Sequence, residues 1–343
     1  MDCVKHVFNF LGHRLKIYFD ARWKGDHGIG RVARVLDEHL KLPHLDLQGS
    51  PTSPFDSLRL FLAMLFRTEK GSCIFTPGYN APLFIIRRYV MTVHDLNHID
   101  RSENSSILKR LYYAIIMRRA CRNADVVLTV SEFSRLRIIE WAKLSTERVV
   151  NIGNGFDGTY NMDVVPYMPG YPYMLCVSNR KAHKNEPRVL QAFAQAVLPA
   201  EVRLVFTGMS TPGLLQEAQE LGMAERLIFL GRVDEVDMPA LYRGAIALIF
   251  PSLYEGFGLP VIEAMACGTP VLTSNTTSLP EVAGTAALLV DPTSVDEISD
   301  GIRRLFHESA LRNDLTAKGL VQCAQFTWPE TVRKVRMAIQ AVQ

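Results

Sequence analysis

The chain has no C-x-x-C pair; its six cysteines (Cys3, Cys73, Cys121, Cys176, Cys267 and Cys323) stand singly. That scatter argues against a zinc site or a disulfide framework and leaves reduced, mostly buried thiols as the expectation. No stretch approaches the ~18 consecutive apolar residues of a membrane-spanning helix. Met1–Phe10 lacks the charged region, apolar core and small-residue cleavage site of a secretory signal. A cytoplasmic protein is expected, with peripheral contact to the inner face of the cytoplasmic membrane as its nearest approach to lipid. No fixed-period repeat is visible, which excludes a solenoid. A charge excess is missing too: 38 Lys and Arg against 35 Asp and Glu leave a net of +3, too little to argue for nucleic acid.

What is present reads as globular. The apolar fraction is 48% and the charged fraction 21% over 343 residues, a composition that supports about two domains with a real core in each. Charge is uneven between the halves: residues 1–160 hold 23 Lys and Arg against 16 Asp and Glu, the remainder 15 against 19. Two readings fit, an anionic partner for the first half or mere drift of two surfaces. Short apolar runs alternate with helical patterns throughout. Leu15–Phe19, Ser72–Thr76, Val90–Val93 and Asp125–Val130 read as buried strands in the first half. Tyr173–Val177, Val202–Thr207, Leu227–Leu230, Ala247–Phe250, Val271–Thr273 and Ala287–Val290 do so in the second. Such alternation predicts an α/β protein with two parallel sheets, each covered on both faces. The Pro- and Gly-bearing stretch Gly155–Tyr173 reads as the linker. The expected domains are residues 1–165 and 166–328, and ligands are expected in the cleft outside the carboxyl ends of the strands.

The densest signal is Pro251–Pro270. A strand ends at Phe250, a loop with Gly256 and Gly258 follows, and Pro260 suits the first turn of a helix. Backbone N–H groups at such a helix start favour an anion, and the glycines permit close approach. Glu255 and Glu263 flank this loop. Carboxylates repel phosphate but accept hydrogen bonds from hydroxyl-rich groups, so together they point to a sugar nucleotide. The plainer reading makes Glu255 a helix-dipole partner and Glu263 a surface residue.

The pattern Glu255–Glu263 within EGFGLPVIEAMACGTPV resembles the donor site of retaining glycosyltransferases of family four. GIGR at Gly28–Arg31, VHDL at Val93–Leu96, TVSEFSR at Thr129–Arg135 and NGFD at Asn154–Asp157 are similar to landmarks of that family, in family order. So are HKN at His183–Asn185, FLGRV at Phe229–Val233 and FTWPET at Phe326–Thr331. The resemblance covers nearly all of the chain. It implies the GT-B architecture, two Rossmann-like doubly wound domains facing a cleft, with a final helix of about residues 329–343 returning to the first domain. It further implies that Glu263 accepts from the ribose hydroxyls, and that Glu255 with the N–H groups of Gly256, Phe257 and Gly258 holds the transferred sugar. Leu259 belongs to the same helix start. Arg232 and Val233 would border the base, Gly30 would approach the diphosphate, and His94 would stand near the transferred sugar.

The loop Ser178–Asn185 carries Arg180, Lys181 and Lys184 after a strand, where cations suit a leaving diphosphate. The common family pattern has Arg where this chain has Asn179, which shifts that role to Arg180 beside Lys184. His94 and His98 are four apart, but a strand end does not set them on one helix face, and no metal site is expected. Asp-x-Asp, the metal-diphosphate signature of the other large glycosyltransferase fold, is lacking, so neither metal nor cofactor is expected. Gly28-Ile-Gly30-Arg31-Val32-Ala33 matches a dinucleotide fingerprint, yet eight residues separate it from the preceding strand, too many for the tight pyrophosphate turn. The helix Leu108–Arg122 mixes apolar and basic residues, as a membrane-surface helix or a core helix with a cationic face does.

The expected activity is transfer of a hexose, mannose from GDP-mannose, to a glycan hydroxyl on a lipid-linked acceptor in bacterial polysaccharide or lipopolysaccharide synthesis. A UDP-hexose donor is the alternative within the class. An NAD-dependent oxidoreductase and a catalytically silent sugar-nucleotide-binding subunit are the alternatives outside it.

Overall fold

The computed structural model describes residues 15–25, 28–101, 103 and 105–342. Cys3 and the Met1–Phe10 stretch lie outside them. The strands are β1 (Ile17–Phe19), β2 (Cys73–Thr76), β3 (Arg88–Thr92), β4 (Val126–Thr129), β5 (Val149–Asn151), β6 (Tyr173–Cys176), β7 (Arg203–Phe206), β8 (Leu227–Phe229), β9 (Leu248–Phe250), β10 (Val271–Ser274) and β11 (Leu288–Val290). They form two parallel sheets, one ordered β1-β2-β3-β4-β5 and the other β11-β10-β9-β6-β7-β8. The second is doubly wound: the chain starts at β6, adds β7 and β8 on one side, then reverses to β9, β10 and β11 on the other. In the first, the segment at His44 bridges β1 in parallel on the edge away from β2, so the chain steps from β1 to that segment and then reverses to β2, β3, β4 and β5 on the other side, as the doubly wound pattern expects.

Period-two alternation places the cores. Cys73, Phe75, Val90, Val126 and Leu128 face one side of the first sheet, whereas Ile74, Tyr89, Met91 and Val127 face the other. In the second sheet Leu175, Val205, Leu248 and Phe250 are buried on one side and Met174, Cys176, Leu204 and Ile249 on the other. Both faces of each sheet are therefore filled, which is why the strands read as continuous apolar runs. Cys73, Cys121, Cys176, Cys267 and Cys323 are free and buried; burial pushes the thiols of Cys73, Cys121 and Cys267 up to about 12.

Several elements were not visible in the sequence pattern, the short helices Asn97–Asp100 and Leu279–Ala283 among them. The helix Asp56–Phe66 leaves Leu58, Leu62, Leu65 and Phe66 exposed, so no clean apolar stripe marks it. It is anchored through Asp56, which pairs with Arg22 while Arg22 also holds Asp20. Strand β5 offers only Val149 and Val150 before Asn151, an apolar run too short to stand out. The helix Ser309–Cys323 buries Leu315, Gly319 and Cys323, small or isolated apolar positions; a Cβ at Gly319 would lie 3.1 Å from Met265 Cγ.

The final helix, Trp328–Gln340, packs on the first sheet although it follows the second in sequence. Trp328, Val332, Val335 and Ile339 share one core with Ile17, Phe19, Val90 and Leu128. Thr327 caps it, accepting from the Glu330 N–H at 3.4 Å. The crossing is tight: a Cβ at Gly155 would sit 2.2 Å from the Trp328 nitrogen, and Trp328 Nε1–H donates to Asp157 at 3.1 Å. Trp328→Ala is expected to cost about 3–5 kcal/mol. Urea unfolding monitored by far-ultraviolet circular dichroism checks this; an unshifted midpoint would mean the helix docks without it.

Candidate functional site

Carboxyl ends of both sheets open onto one cleft of about 360 Å³ between the domains. The first domain contributes Gly28, Ile29, Arg31 and Val32 from the start of the helix Gly28–Leu40, His94 and Asp95 after β3, Val130 after β4, and Asn154 and Tyr160 beyond β5. The second contributes Val177–Asn179 and Lys184 after β6, Met238, and Glu255–Pro260 with Glu263 after β9.

Chain geometry makes the β9 loop a tight turn into a helix start, where backbone N–H groups could receive an anion. Gly258 takes φ +106°, a conformation open to glycine, just before the helix Leu259–Ala266. Ser278 Oγ–H lies 2.9 Å from the Glu255 carbonyl and 3.0 Å from that of Phe257, which pins the loop. Gly256 is glycine for a different reason. A Cβ there would lie 2.8 Å from Asp95 Cβ and 2.9 Å from the His94 carbonyl oxygen. The loop thus rests directly on the other domain, where Ser134 Oγ–H also donates to the Gly256 carbonyl at 3.3 Å.

Charged side chains meet around this turn. Lys184 Nζ donates to Glu255 Oε1 at 2.7 Å and lies 4.7 Å from the Phe250 ring centroid. Glu263 is 4% exposed. Its Oε1 accepts from Arg31, across the cleft, and its Oε2 from Tyr242 Oη–H at 2.8 Å. Arg31 also binds Glu235 through Nε at 2.7 Å, and Arg34 reaches the same carboxylate at 3.1 Å. These carboxylates hold the Arg31 guanidinium above its already high range against the opposing effect of burial. His94 is buried and gives its Nε2–H to the Pro77 carbonyl at 2.9 Å, because a carbonyl can only accept. Its ring lies 5.6 Å from that of Tyr79.

His94, Asn179, Lys184, Glu255, Gly256, Phe257, Gly258, Leu259 and Glu263 all line the cleft. Four other residues do not. Arg180 adopts φ +62° and turns back: it pairs with Glu186, donates to the carbonyls of Thr207, Gly208 and Met209, and lies over the rings of Phe206 and Phe229. Its guanidinium ties the β6 and β7 loops together, which corrects its expected place beside a leaving phosphate. Gly30 is buried against the Gly25 backbone, 2.4 Å from its oxygen for an added Cβ, so it serves loop closure while Gly28 and Ile29 face the cleft. Arg232 is exposed and Val233 half-buried, and neither lines the cleft, whereas Met238 of the next helix does. Arg31, Asn154, Tyr160 and Tyr242 were missed as site residues. Arg31 did carry a signal: a cation in the first turn of a helix opposes the dipole and needs another partner. Among the described residues, no group of three or more His, Cys, Asp or Glu side chains could hold a metal ion.

Further contacts close the domains on each other. Glu281 accepts from the N–H groups of Glu132 and Phe133, at 2.8 and 3.0 Å, at the start of the helix Glu132–Ala142. Tyr254 Oη–H donates to Asp100 at 3.0 Å. Asn97 Nδ2–H lies 3.4 Å from His183 Nδ1, and burial holds the His183 ring neutral down to about 4.

Comparison with known proteins agrees with this architecture. Residues 164–321 match the family model described as glycosyl transferases group 1, and residues 10–155 match the glycosyl transferase 4-like domain. The chain is 35% identical over 270 residues to the O-antigen chain mannosyltransferase B of Escherichia coli, covering 73% of this chain and 70% of that protein. It is 26% identical over 268 residues to the O-antigen chain mannosyltransferase RfbU of Salmonella typhimurium, covering 74% and 73%. Against the serotype-specific mannosyltransferase WbdA of Escherichia coli it is 30% identical over 61% of this chain, but spans only 28% of that longer protein. Sucrose-phosphate synthase of Thermosynechococcus elongatus has the same fold at a TM-score of 0.77 and 20% identity, over 96% of this chain and 99% of that one. WaaG, a glycosyltransferase involved in lipopolysaccharide biosynthesis, superposes with a TM-score of 0.70 at 14% identity, over 94% and 97%.

Two outcomes follow from the geometry. Gly256→Val would force the β9 loop off His94 and Asp95, at a cost of about 1–3 kcal/mol, read as a lower unfolding temperature and a larger radius of gyration in solution scattering. Wild-type values for both would mean the loop is not seated there. For His183, the unfolded chain binds a proton below about pH 6.5 while the folded ring resists until about 4. Stability should therefore fall as pH drops through that window, and His183→Gln should flatten the fall in urea titrations at pH 7, 6 and 5. An equal fall in the variant would assign it to other groups.

Proposed function

The chain belongs to the glycosyl transferases group 1 family, and from that premise we propose that it transfers mannose from GDP-mannose, with retention at the anomeric carbon, to a hydroxyl of a lipid-linked glycan. The observation that carries this reading is the pairing of two carboxylates, Glu255 and Glu263, with one glycine-bearing helix start. Donor N–H groups there suit a diphosphate. Glu263, at the buried side, suits the ribose; Glu255, beside Lys184, suits the sugar hydroxyls. The mannosyltransferase relatives support the choice of sugar.

The acceptor oxygen attacks the anomeric carbon on the face from which the diphosphate departs. The bond from that carbon to the diphosphate oxygen breaks as the new glycosidic bond forms, and the acceptor proton passes to the leaving phosphate. Lys184 and the N–H groups of Gly256–Leu259 are the donors this reading assigns to that charge, and fixed donors of that kind act most strongly on the transition state. Glu255 orients the sugar, and no carboxylate is required as a base. The reaction needs no metal in this scheme.

A second cavity, about 690 Å³, supports the lipid-linked acceptor. It lies in the first domain beside the cleft, lined by Trp23, Tyr79, Leu108, Lys109, Leu111 and Ile115 among others. Tyr79 is shared with the His94 wall. Ile107 and Leu108 are 78% and 80% exposed, next to Lys109 and Arg110. Apolar residues interleaved with cations suit an anionic membrane surface, which supports a peripheral enzyme on the cytoplasmic face. Among the described residues, no helix is long and apolar enough to cross a membrane.

The nucleotide is tested by thermal shift with GDP, UDP, ADP, NAD and their sugar conjugates. A ligand at 100 times its dissociation constant adds about 2.7 kcal/mol. Stabilisation by GDP and GDP-mannose alone is the expected result. UDP species alone would overturn the donor, and NAD alone the reaction class. Glu255→Ala should lower the turnover of GDP-mannose at least about 100-fold, with the circular dichroism spectrum unchanged; normal turnover would remove Glu255 from the reaction.

A further inference from the structure

The cleft wall holds a buried hydroxyl that the mechanism above does not use. Tyr160 is 2% exposed and lines the cleft, and its ring packs against Tyr242 at 6.0 Å. Its hydroxyl is shielded from water, has no partner in full hydrogen-bond geometry, and receives only a weak contact from the Arg31 guanidinium. Glu263, Arg31 and Glu235 stand around it. Tyr242, the neighbouring phenol, gives its proton to Glu263 Oε2. Arg31 is divided between Glu263 Oε1 and Glu235. Tyr160 is thus the phenol of this pair left unmatched.

A buried hydroxyl without a partner costs about 1–3 kcal/mol, and native interiors pair nearly all such groups. Phenylalanine would fill the same space beside Tyr242 without that cost. For the fold alone the oxygen is a liability, so its use lies with something that enters the cleft. Burial, followed by the Glu263 charge, raises the phenol well above its usual range, which keeps it an O–H donor at any working pH.

We propose that Tyr160 is a nucleotide-binding residue whose hydroxyl pairs with one oxygen of the ribose diol while Glu263 accepts from the other. This deepens the donor-site reading and rests on it. A carboxylate offers about four lone-pair positions, more than Arg31 and Tyr242 fill. As the diol comes to Glu263, the Arg31 tip moves onto Glu235, which already accepts its Nε–H at 2.7 Å. The Tyr160 hydroxyl is then open to the second ribose oxygen. The class of ligand is a ribonucleoside diphosphate, read through its sugar whichever base it carries.

Tyr160→Phe separates this role from a structural one. The variant should unfold at the wild-type temperature or above it, since it loses an unmatched polar atom. Its affinity for GDP or UDP, titrated in parallel by calorimetry, should fall about tenfold, the worth of one hydrogen bond to a well-placed partner. With the 2′-deoxy or the 3′-deoxy nucleotide, whichever lacks the paired oxygen, variant and wild type should bind alike. Unchanged affinity for both ribonucleotides would overturn the proposal. So would a tenfold loss that persists with both deoxy nucleotides, because the hydroxyl would then touch another part of the ligand. Glu263→Gln, measured alongside, keeps the two readings apart. If it weakens binding while Tyr160→Phe does not, the Tyr160 contact fails and the Glu263 assignment stands. If only Tyr160→Phe weakens binding, with the deoxy dependence intact, the Tyr160 contact stands and Glu263 loses its role. Failure of the wild type to bind either GDP or UDP would overturn both.

Discussion

Glu263 is a carboxylate inside a helix, almost wholly removed from water, and the cleft is arranged around keeping it paired. An isolated buried charge of this kind would cost several kcal/mol. Its own domain supplies one donor, the Tyr242 hydroxyl; the other comes from Arg31 on the opposite domain. The second domain therefore does not pair this carboxylate on its own. Arg31 in turn sits in the first turn of the helix Gly28–Leu40, where the dipole opposes a cation, and is compensated by Glu263 and Glu235. Each charge is tolerable because the other domain is there. This mutual dependence acts with the seat of Gly256 on His94 and Asp95, the Glu281 and Tyr254 hydrogen bonds and the apolar docking of the final helix to register the two sheets against each other.

The same pairing reinterprets the charge asymmetry. A surplus of cations in residues 1–160 suggests an anionic partner when the sequence is viewed alone. Part of that partner is the second half of the chain. Arg31 and Arg34 face Glu235 and Glu263, while the N–H groups at the start of the helix Glu132–Ala142 face Glu281. Arg22 and Arg137, by contrast, are neutralised within their own domain by Asp20, Asp56 and Asp100. What remains for an outside anion is narrower: the cations on and near the exposed segment around Ile107–Tyr112, beside the apolar cavity.

Legibility followed burial pattern. Strands buried on both faces were readable as short apolar runs. Helix Asp56–Phe66 was hidden because its outer face is as apolar as its inner one, and β5 because only Val149 and Val150 form its apolar run before Asn151. At the site, the Glu255–Glu263 loop stood out since glycines, a proline and two carboxylates coincide there. Tyr160 could not: nothing near it in sequence distinguishes a tyrosine with an unmatched hydroxyl from a core aromatic. Gly256 was readable as a glycine of the loop, but its reason, contact with His94 and Asp95, involves residues about 160 positions away and exists only in three dimensions.

The basic loop after β6 shows how local backbone sorts side chains that look equivalent in sequence. Arg180 and Asn185 both take left-handed conformations, near φ +62°, and the chain reverses between them. Arg180 is thereby turned toward the carbonyls at the end of β7 and the stacked rings of Phe206 and Phe229, while Lys184 projects into the cleft against Glu255. Asn185 fixes the turn by donating to the carbonyls of Pro251 and Pro292 at 2.9 and 2.6 Å. Such strain persists only where surrounding contacts over-determine it, and here those contacts join the β6 loop to the β9 loop. Of the two cations first matched to the leaving group, one is structural. In the proposed reaction the charge on a departing phosphate would then fall to Lys184 and to backbone N–H groups at the helix start, which would make the turn at Gly256–Gly258 as much a part of the electrostatics as the lysine.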